Sequence, residues 1–120
     1  MVSMSQDPLT TYLLTYRKRT GLSQGEMAFL LGISSGTTVS KHETGARKPF
    51  LRATLSYEII LGEPTSELFA GWYLELESAI RKRAARLGKH LSTLPATPAN
   101  VQKLKSLHRL LEEPKDSLSS

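Results

Sequence analysis

The sequence predicts an all-α fold, and three of its features carry that prediction. Apolar residues recur at intervals of three and four along most of the chain, the repeat of one face of an α-helix. Glycines and prolines interrupt this repeat at spacings that suit helices of ordinary length. The alternation of apolar and polar residues that is typical of half-buried strands is not present in the sequence.

Length and composition limit the classes of protein to be considered. The 120 residues, 39% of them hydrophobic, suffice for one ordinary domain or a small domain with an appendage. The absence of cysteine excludes disulfide scaffolds and thiolate zinc sites. The longest apolar run, 27–31, is far shorter than the roughly 20 residues of a transmembrane helix, and residues 1–11 lack a secretory-signal pattern. We therefore expect a soluble, cytoplasmic protein without a membrane partner.

Capping residues delimit the first two helices. One helix is predicted near 9–20, with basic residues in its last turn and Gly21 after it. Ser23 and Glu26 have the spacing of a capping box, in which each side chain accepts a hydrogen bond from the other residue's backbone amide. This box predicts a second helix at 24–31.

Two further helices follow, each ended by a glycine. The third is predicted at roughly 37–44 and the fourth at about 50–61. Phe50 is a poor cap for the fourth helix, because it has no side-chain oxygen to accept a backbone hydrogen bond. The apolar residues of the fourth helix are expected to be buried, namely Leu51, Leu55, Ile59 and Ile60.

The second half of the chain predicts two longer helices. A long fifth helix covers about 65–91, since its apolar residues advance by threes and fours throughout. Thr97 and Pro98 suit the cap and the first position of a sixth helix. The apolar residues of that helix share one face, and they are Val101, Leu104, Leu107 and Leu111.

The stretch between Gly21 and Pro49 has a distinctive set of residues at fixed spacing. The pieces that carry it are Leu22-Ser23-Gln24, Glu26-Met27-Ala28, Leu31-Gly32-Ile33, Val39-Ser40, Glu43, Gly45, Arg47 and Pro49. In this order they resemble the phage-repressor-like (XRE/Cro-type) helix-turn-helix family. The resemblance implies a five-helix DNA-binding domain, here with a long fifth helix and a C-terminal sixth helix.

Domain boundaries follow from the resemblance and from composition. We expect a helix-turn-helix DNA-binding domain at 9–75 and a C-terminal helical extension at 76–113, with flexible tails at 1–8 and 114–120. The leucine-rich helices of the C-terminal part are a natural surface for a dimer. Packing onto the protein's own helices is the alternative, and the sequence does not decide between them.

The residue types between Gly21 and Pro49 suit two helices that cross closely. Ala28 is small enough for a close crossing, Gly32 permits a tight turn, and Val39 can fill the space between the two helices. From Gly32 to Val39 the chain is one residue longer than is usual in the family. The turn at 34–36 is therefore expected either to delay the third helix or to distort its first turn.

The resemblance implies which side chains contact DNA. Groove-facing candidates are Thr37, Thr38 and Lys41, with Ser35 and Gly36 at the approach. Candidates for contacts to the phosphate backbone are Gln24, Arg47 and Lys48. The formal charge of +5 also favours an anionic partner. Arg17 and Glu43 are expected to form a structural ion pair between the first and third helices.

Other signals in the sequence weigh less. Residues 32–36 spell a hydrolase nucleophile elbow, but that motif needs a preceding strand, so no enzymatic activity is expected. The three histidines are widely spaced and lack cysteine partners, so neither a metal site nor a cofactor is expected.

The fifth helix carries a basic cluster, which is expected to form a solvated outer face. A second surface that contacts phosphates is the alternative. The members of the basic cluster are Arg81, Lys82, Arg83, Arg86, Lys89 and His90.

Phe29 and Leu30 stand where the family often has charged residues. Burial against the additional helices is expected for both, and a surface for a partner is the alternative.

Together these expectations predict that the protein is a sequence-specific regulator of transcription that binds double-stranded DNA as a homodimer. Two alternatives stay open. One is an antitoxin that binds its own promoter and captures a protein partner through the C-terminal helices. The other is a helical protein-interaction module that does not bind DNA.

Overall fold

The computed structural model describes residues 11–112, and these form helices without any strand. The predicted all-α class is confirmed. Seven helices lie in the described range, namely α1 (Leu13–Thr20), α2 (Gln24–Leu31), α3 (Gly36–Thr44), α4 (Leu51–Leu61), α5 (Thr65–Leu68), α6 (Ala70–Ser92) and α7 (Pro98–Leu111). The tails predicted at 1–8 and 114–120 lie outside the described residues.

The chain divides into two compact units, Met1–Leu74 and Glu75–Ser120. Helices α1 to α5 and the start of α6 belong to the first unit, and the remainder of α6 with α7 belongs to the second. None of the helices in the described range combines the length and the apolar character that crossing a membrane requires.

The first unit is built around one hydrophobic core to which each of its helices contributes. The buried residues are Leu13, Met27, Ala28, Val39, Ala53, Tyr57, Leu68 and Phe69. Aromatic rings continue through this core, with Tyr57 edge-on to Phe69 and Phe69 stacked on Trp72 at a centroid distance of 5.9 Å. Helix α3 packs on this core chiefly against α2, with further contacts to α1.

The predicted caps of α2 and α7 are confirmed. The Ser23 hydroxyl accepts from the amide of Glu26 at 3.0 Å, and the Glu26 carboxylate accepts from the amide of Ser23 at 2.9 Å. Gly32 ends α2 with φ of 78°, a left-handed conformation that residues with a Cβ rarely adopt. Thr97 caps α7 by accepting from the amide of Asn100.

Helix α1 is shorter than predicted. The backbone at the start of the expected helix makes other hydrogen bonds, since the amide of Tyr12 donates to the carbonyl of Leu68 at 2.8 Å. The Thr11 hydroxyl then accepts from the amide of Leu13 at 2.9 Å. These bonds tie the chain to α5 and delay the first helical turn to Leu13.

The predicted long fifth helix is divided at Phe69, whose φ of −118° and ψ of 43° leave the helical region. Leu68 and Phe69 are both buried in the same core. The break leaves α5 as a single turn before α6.

The predicted burial of the fourth helix is wrong for three of its four residues. Leu51 is 70% exposed, Leu55 50% and Ile59 80%, whereas Ile60 packs at the edge of the core. The inner face of α4 is instead formed by Ala53 and Tyr57. Apolar residues lie on both sides of this helix, and periodicity alone does not say which side faces inward.

Burial was also expected for Phe29 and Leu30, and this expectation is wrong. Phe29 is 82% exposed and Leu30 is half exposed. The core-facing residues of α2 are Met27 and Ala28. Phe29 and Leu30, the next two positions, lie on the opposite side of the helix.

In the second unit, Ala84 and Leu91 of α6 are the buried residues among those described. Arg81 connects α6 to α7, because its Nε donates to the carbonyl of Leu110 at 3.1 Å. Its Nη2 also lies 3.3 Å from the carboxylate of Glu77. A guanidinium at the C-terminal end of α7 satisfies a carbonyl that has no intrahelical partner.

Candidate functional site

The turn between α2 and α3 leads into a tight first helical turn. The Ser35 hydroxyl accepts from the amide of Thr37 at 2.9 Å, and the Ser35 carbonyl accepts from the amide of Thr38 at 3.2 Å. The second bond spans three residues rather than four, as in a 3₁₀ turn. Helix α3 begins at Gly36, one residue earlier than predicted, so the longer connection does not delay it.

Gly36 brings the start of α3 into close contact with the start of α2. A Cβ at this position would lie 3.0 Å from the backbone nitrogen of Gly25 and 3.1 Å from the carbonyl carbon of Gln24. Such contacts are tighter than nine in ten real Cβ contacts, so a side chain here would require the α2 backbone to shift by a few tenths of an ångström. Gly36 was expected at the approach to DNA, and the structure places it where the backbones of two helices touch.

Helix α3 turns two side chains into the core and leaves the opposite side exposed. Val39 and His42 are buried, whereas Thr37 and Lys41 are exposed and Thr38 is half-buried. Thr37 and Lys41 are four residues apart, so they lie on one face of the helix. The exposed side of α3 therefore carries a hydroxyl and an ammonium group.

Arg17 and Glu43 form the ion pair that joins α1 to α3. Nε of Arg17 lies 2.5 Å from Oε2 of Glu43, and Nη2 lies 3.2 Å from Oε1. The side chains are only 11% and 3% exposed. Nη1 of Arg17 also donates to the carbonyl of Leu22 at 2.9 Å, so the guanidinium also holds the connection before α2. Hydrogen bonding to Glu43 raises the pKa of Arg17, which keeps this group charged.

Gln24 is hydrogen-bonded to the ion pair of Arg17 and Glu43. Its Nε2 donates to Oε1 of Glu43 at 2.9 Å, which connects the first residue of α2 to α3. We call the set of Arg17, Gln24 and Glu43 the α3 clamp. Sequence reasoning placed Gln24 on the DNA backbone and missed this bond, because nothing in the pattern relates two polar residues 19 positions apart.

Arg47 and Lys48 follow α3, and both are exposed. The amide of Arg47 donates to the carbonyl of Lys41 at 3.2 Å, so the chain folds back over the end of the helix. Nζ of Lys48 lies 6.0 Å from the centre of the Trp72 ring, within the range of a cation–π contact. Arg47 and Lys48 therefore place two cationic side chains next to the C-terminal end of α3.

His42 supports α3 from inside. Its Nδ1 lies 2.8 Å from the hydroxyl of Tyr57, and both side chains are buried. Burial lowers the pKa of His42, and the charge of Arg47 lowers it further against an opposing effect of Glu43. Burial also raises the pKa of Tyr57. At neutral pH, His42 and Tyr57 thus form a neutral hydrogen-bonded pair beneath the exposed face of α3.

The basic cluster of α6 contains one engaged residue and several exposed ones. Arg81 makes the contacts to α7 described above, while the other members are exposed, namely Lys82, Arg83, Arg86, Lys89 and His90. In residues 11–112, no group of three His, Asp or Glu side chains is placed to hold a metal ion.

Comparison with known proteins gives no relative from which a role could be transferred. No protein-family model, curated protein or solved structure matches the chain. The role of the exposed face of α3 is therefore inferred from its own geometry and chemistry.

Proposed function

We propose that this protein is a sequence-specific regulator of transcription that binds double-stranded DNA. In this proposal α2 and α3 form a helix-turn-helix, and α3 enters the major groove. The observation that carries the proposal is the α3 clamp, which fixes α3 from two other helices while Thr37 and Lys41 remain exposed. Recognition of bases requires side chains that are held rigidly and are still accessible.

The dimensions of α3 support this mode of binding. Helix α3 has nine residues, and an α-helix with its side chains is about 10–12 Å in diameter, which fits the major groove of about 12 Å. The close contact at Gly36 keeps the N-terminal end of α3 against α2. The N-terminal residues of a recognition helix are those that reach base edges, so this end needs the firmest support.

Each exposed side chain has a role that suits its chemistry. The hydroxyl and methyl groups of Thr37 and Thr38 can contact a base edge or the methyl group of thymine, and Lys41 can donate to guanine. Ser35 lies at the approach. Arg47 and Lys48 supply charge for the flanking phosphates, which contribute affinity rather than sequence preference.

The proposal includes a second copy of the chain. One such domain makes few base contacts, and the usual solution is a dimer on two half-sites about 34 Å apart. The protein would then regulate transcription by occupying a palindromic operator near a promoter.

The experiment is a selection of bound sequences from random duplex DNA, followed by measurement of affinity at several salt concentrations. The parent chain should select a palindrome, and its affinity should fall steeply with salt because bound phosphates release counterions. Lys41→Ala and Thr38→Ala should each weaken operator binding by about 5- to 150-fold, corresponding to roughly 1–3 kcal/mol per base contact.

Lys105→Ala is the matched control, since Lys105 is an exposed lysine of α7. It should bind like the parent, and all variants should keep the helical circular dichroism of the parent. Equal affinity of Lys41→Ala and the parent for the selected operator would count against the proposal, as would the failure of the selection to enrich any sequence.

A protein partner is the second candidate, and one observation favours it. Within 98–112 no residue is buried, and Val101 and Leu111 are each 42% exposed. An antitoxin would use such a face to hold the product of a neighbouring gene. Co-expression with that product should then give a stable complex that Val101→Glu disrupts, and a chain that stays uncomplexed would exclude this candidate.

A further inference from the structure

One face of α6 carries five basic side chains, which we call the α6 basic face. Successive residues of a helix are turned by about 100°, so these five positions fall within an arc of about 120°. The buried residues of α6, Ala84 and Leu91, lie on the opposite side. The helix therefore directs the five side chains together into solvent. All of them are exposed, and they are Lys82, Arg83, Arg86, Lys89 and His90.

Neighbouring carboxylates do not neutralise the α6 basic face. Residues 78–111 contain eight Lys and Arg and no Asp or Glu. Among residues 11–112, the ion pairs of the second unit are those of Arg81 with Glu77 and of His108 with Glu112. A helix face that serves only as a solvated exterior usually alternates charges of both signs. The charges of the α6 basic face are thus available to an anion from outside the chain.

The two units of the chain differ in their charge. Residues 11–74 of the first unit contain seven Lys and Arg against five Glu, a formal charge of +2. Residues 75–112 of the second unit contain eight Lys and Arg against three Glu, a formal charge of +5. Contacts between cations and phosphates provide much of the affinity of proteins for DNA. The unit that contains α3 therefore carries the smaller share of the charge that such affinity requires.

We propose that the α6 basic face binds the phosphate backbone of double-stranded DNA and adds affinity without sequence preference. The inference rests on the proposed function for the choice of DNA among polyanions. The face extends from Lys82 to His90 over about 12 Å of helix, and the same length of a duplex presents about seven phosphates. Because both units belong to one chain, DNA bound by α3 is at a high effective concentration for α6.

The residues around the face favour a duplex over two other polyanions. Proteins that bind single strands stack the bases on aromatic rings, and residues 78–111 contain no Phe, Tyr or Trp. A helix that lies on an anionic membrane inserts the side opposite its cations into lipid. In α6, Ala84 and Leu91 on that side are already buried within the protein.

The affinity of the full chain for a duplex of random sequence, measured by fluorescence anisotropy from about 50 to 200 mM salt, tests the inference. The triple variant Lys82→Ala/Arg86→Ala/Lys89→Ala removes the three charges at the centre of the face. Each lost phosphate contact lowers the slope of log affinity against log salt by about 0.9, so the slope should fall by about 3. At the lowest salt the affinity should fall by more than about tenfold.

The matched control is the triple variant Lys18→Ala/Lys105→Ala/Arg109→Ala. It removes the same number of charges at exposed positions of α1 and α7, and its slope should stay within about 1 of the parent's. Circular dichroism should show that both triple variants keep the helices of the parent. An equal fall of the slope in the two variants would mean that net charge alone binds the duplex, and this overturns the role of the α6 basic face.

A second comparison separates this inference from the proposed function. Thr38→Ala should reduce the preference for a selected operator over random duplex and leave the salt slope unchanged, because it removes no charge. The Lys82/Arg86/Lys89 triple variant should weaken both complexes by the same factor and keep the preference. If no sequence is selected, the proposed function fails, but duplex binding that depends on the α6 basic face stands.

Two outcomes overturn the inference even if an operator is found. One is a salt slope of the Lys82/Arg86/Lys89 triple variant equal to that of the parent. The other comes from vesicles of phosphatidylserine and phosphatidylcholine. If the parent binds these vesicles, the triple variant does not, and the two bind duplex DNA equally well, the α6 basic face is a surface for membranes and not for DNA.

Discussion

Helices α3 and α4 lie next to each other in the chain and use their outer faces in opposite ways. Helix α3 keeps a buried valine and histidine inside and exposes Thr37 and Lys41. Helix α4 places Ala53 and Tyr57 inside and exposes an apolar row made of Leu51, Leu55 and Ile59. Polar groups on α3 lose little by contact with water, whereas the apolar row on α4 is costly to leave in water.

The two helices also differ in how they are held. Helix α3 is fixed by the α3 clamp and by the close contact at Gly36. The hydrogen bond between His42 and Tyr57 joins the inner faces of the two helices. Buried polar side chains thus add to the apolar contacts of Val39 in holding α3, whereas α4 is held mainly by the burial of Ala53 and Tyr57. Perturbing each attachment separately sharpens this comparison.

The largest effect is expected from Arg17→Ala. Removal of the guanidinium leaves the nearly buried carboxylate of Glu43 with Gln24 as its remaining partner in the α3 clamp. Loss of one member of a buried pair costs about 3–5 kcal/mol, so the free energy of unfolding should fall by roughly 3 kcal/mol. Chemical denaturation measures it. Lys18→Ala, at an exposed site in the same helix, should change it by less than about 0.5 kcal/mol. An equal effect of the two substitutions would contradict the buried pair.

Gly36→Ala should come next. The new methyl group would lie 3.0 Å from the nitrogen of Gly25, where backbone has to move. Overpacking of this kind costs about 1–3 kcal/mol, and it should also weaken binding of any operator selected by the parent. Gly25→Ala is the control, since its nearest neighbour would be the Ser23 hydroxyl at 3.9 Å. If Gly36→Ala is as stable as Gly25→Ala, α2 and α3 do not meet as closely as described.

Local signals in the sequence predict much of this fold and less of the candidate site. The bounds of α2 follow from the capping box at Ser23 and from Gly32, because caps depend on residues only a few positions apart. The inner face of α4 does not follow, since apolar residues on both sides give the same helical period. The contact between His42 and Tyr57 and the position of Gln24 depend on how separate helices meet.

A smaller effect is expected from pH through His42. Burial holds its pKa below the ordinary value of about 6.5, so the unfolded chain binds more protons than the folded one just below that pH. The stability due to neutral His42 is present above about pH 6.5 and is lost as pH falls through the folded pKa. Denaturation curves between pH 7.5 and 5 should show this decline. His42→Gln should remove it, and the exposed His90→Gln should retain it.

The smallest effect on stability is expected from Leu51→Ala, which tests which side of α4 faces the core. Leu51 is largely exposed, so the free energy of unfolding should change by less than about 0.5 kcal/mol. Leu13→Ala, the same substitution at a buried leucine, should cost about 2–5 kcal/mol. A large loss of monomer stability in Leu51→Ala would mean that α4 packs with the other face inward, and the contrast between α3 and α4 would then disappear.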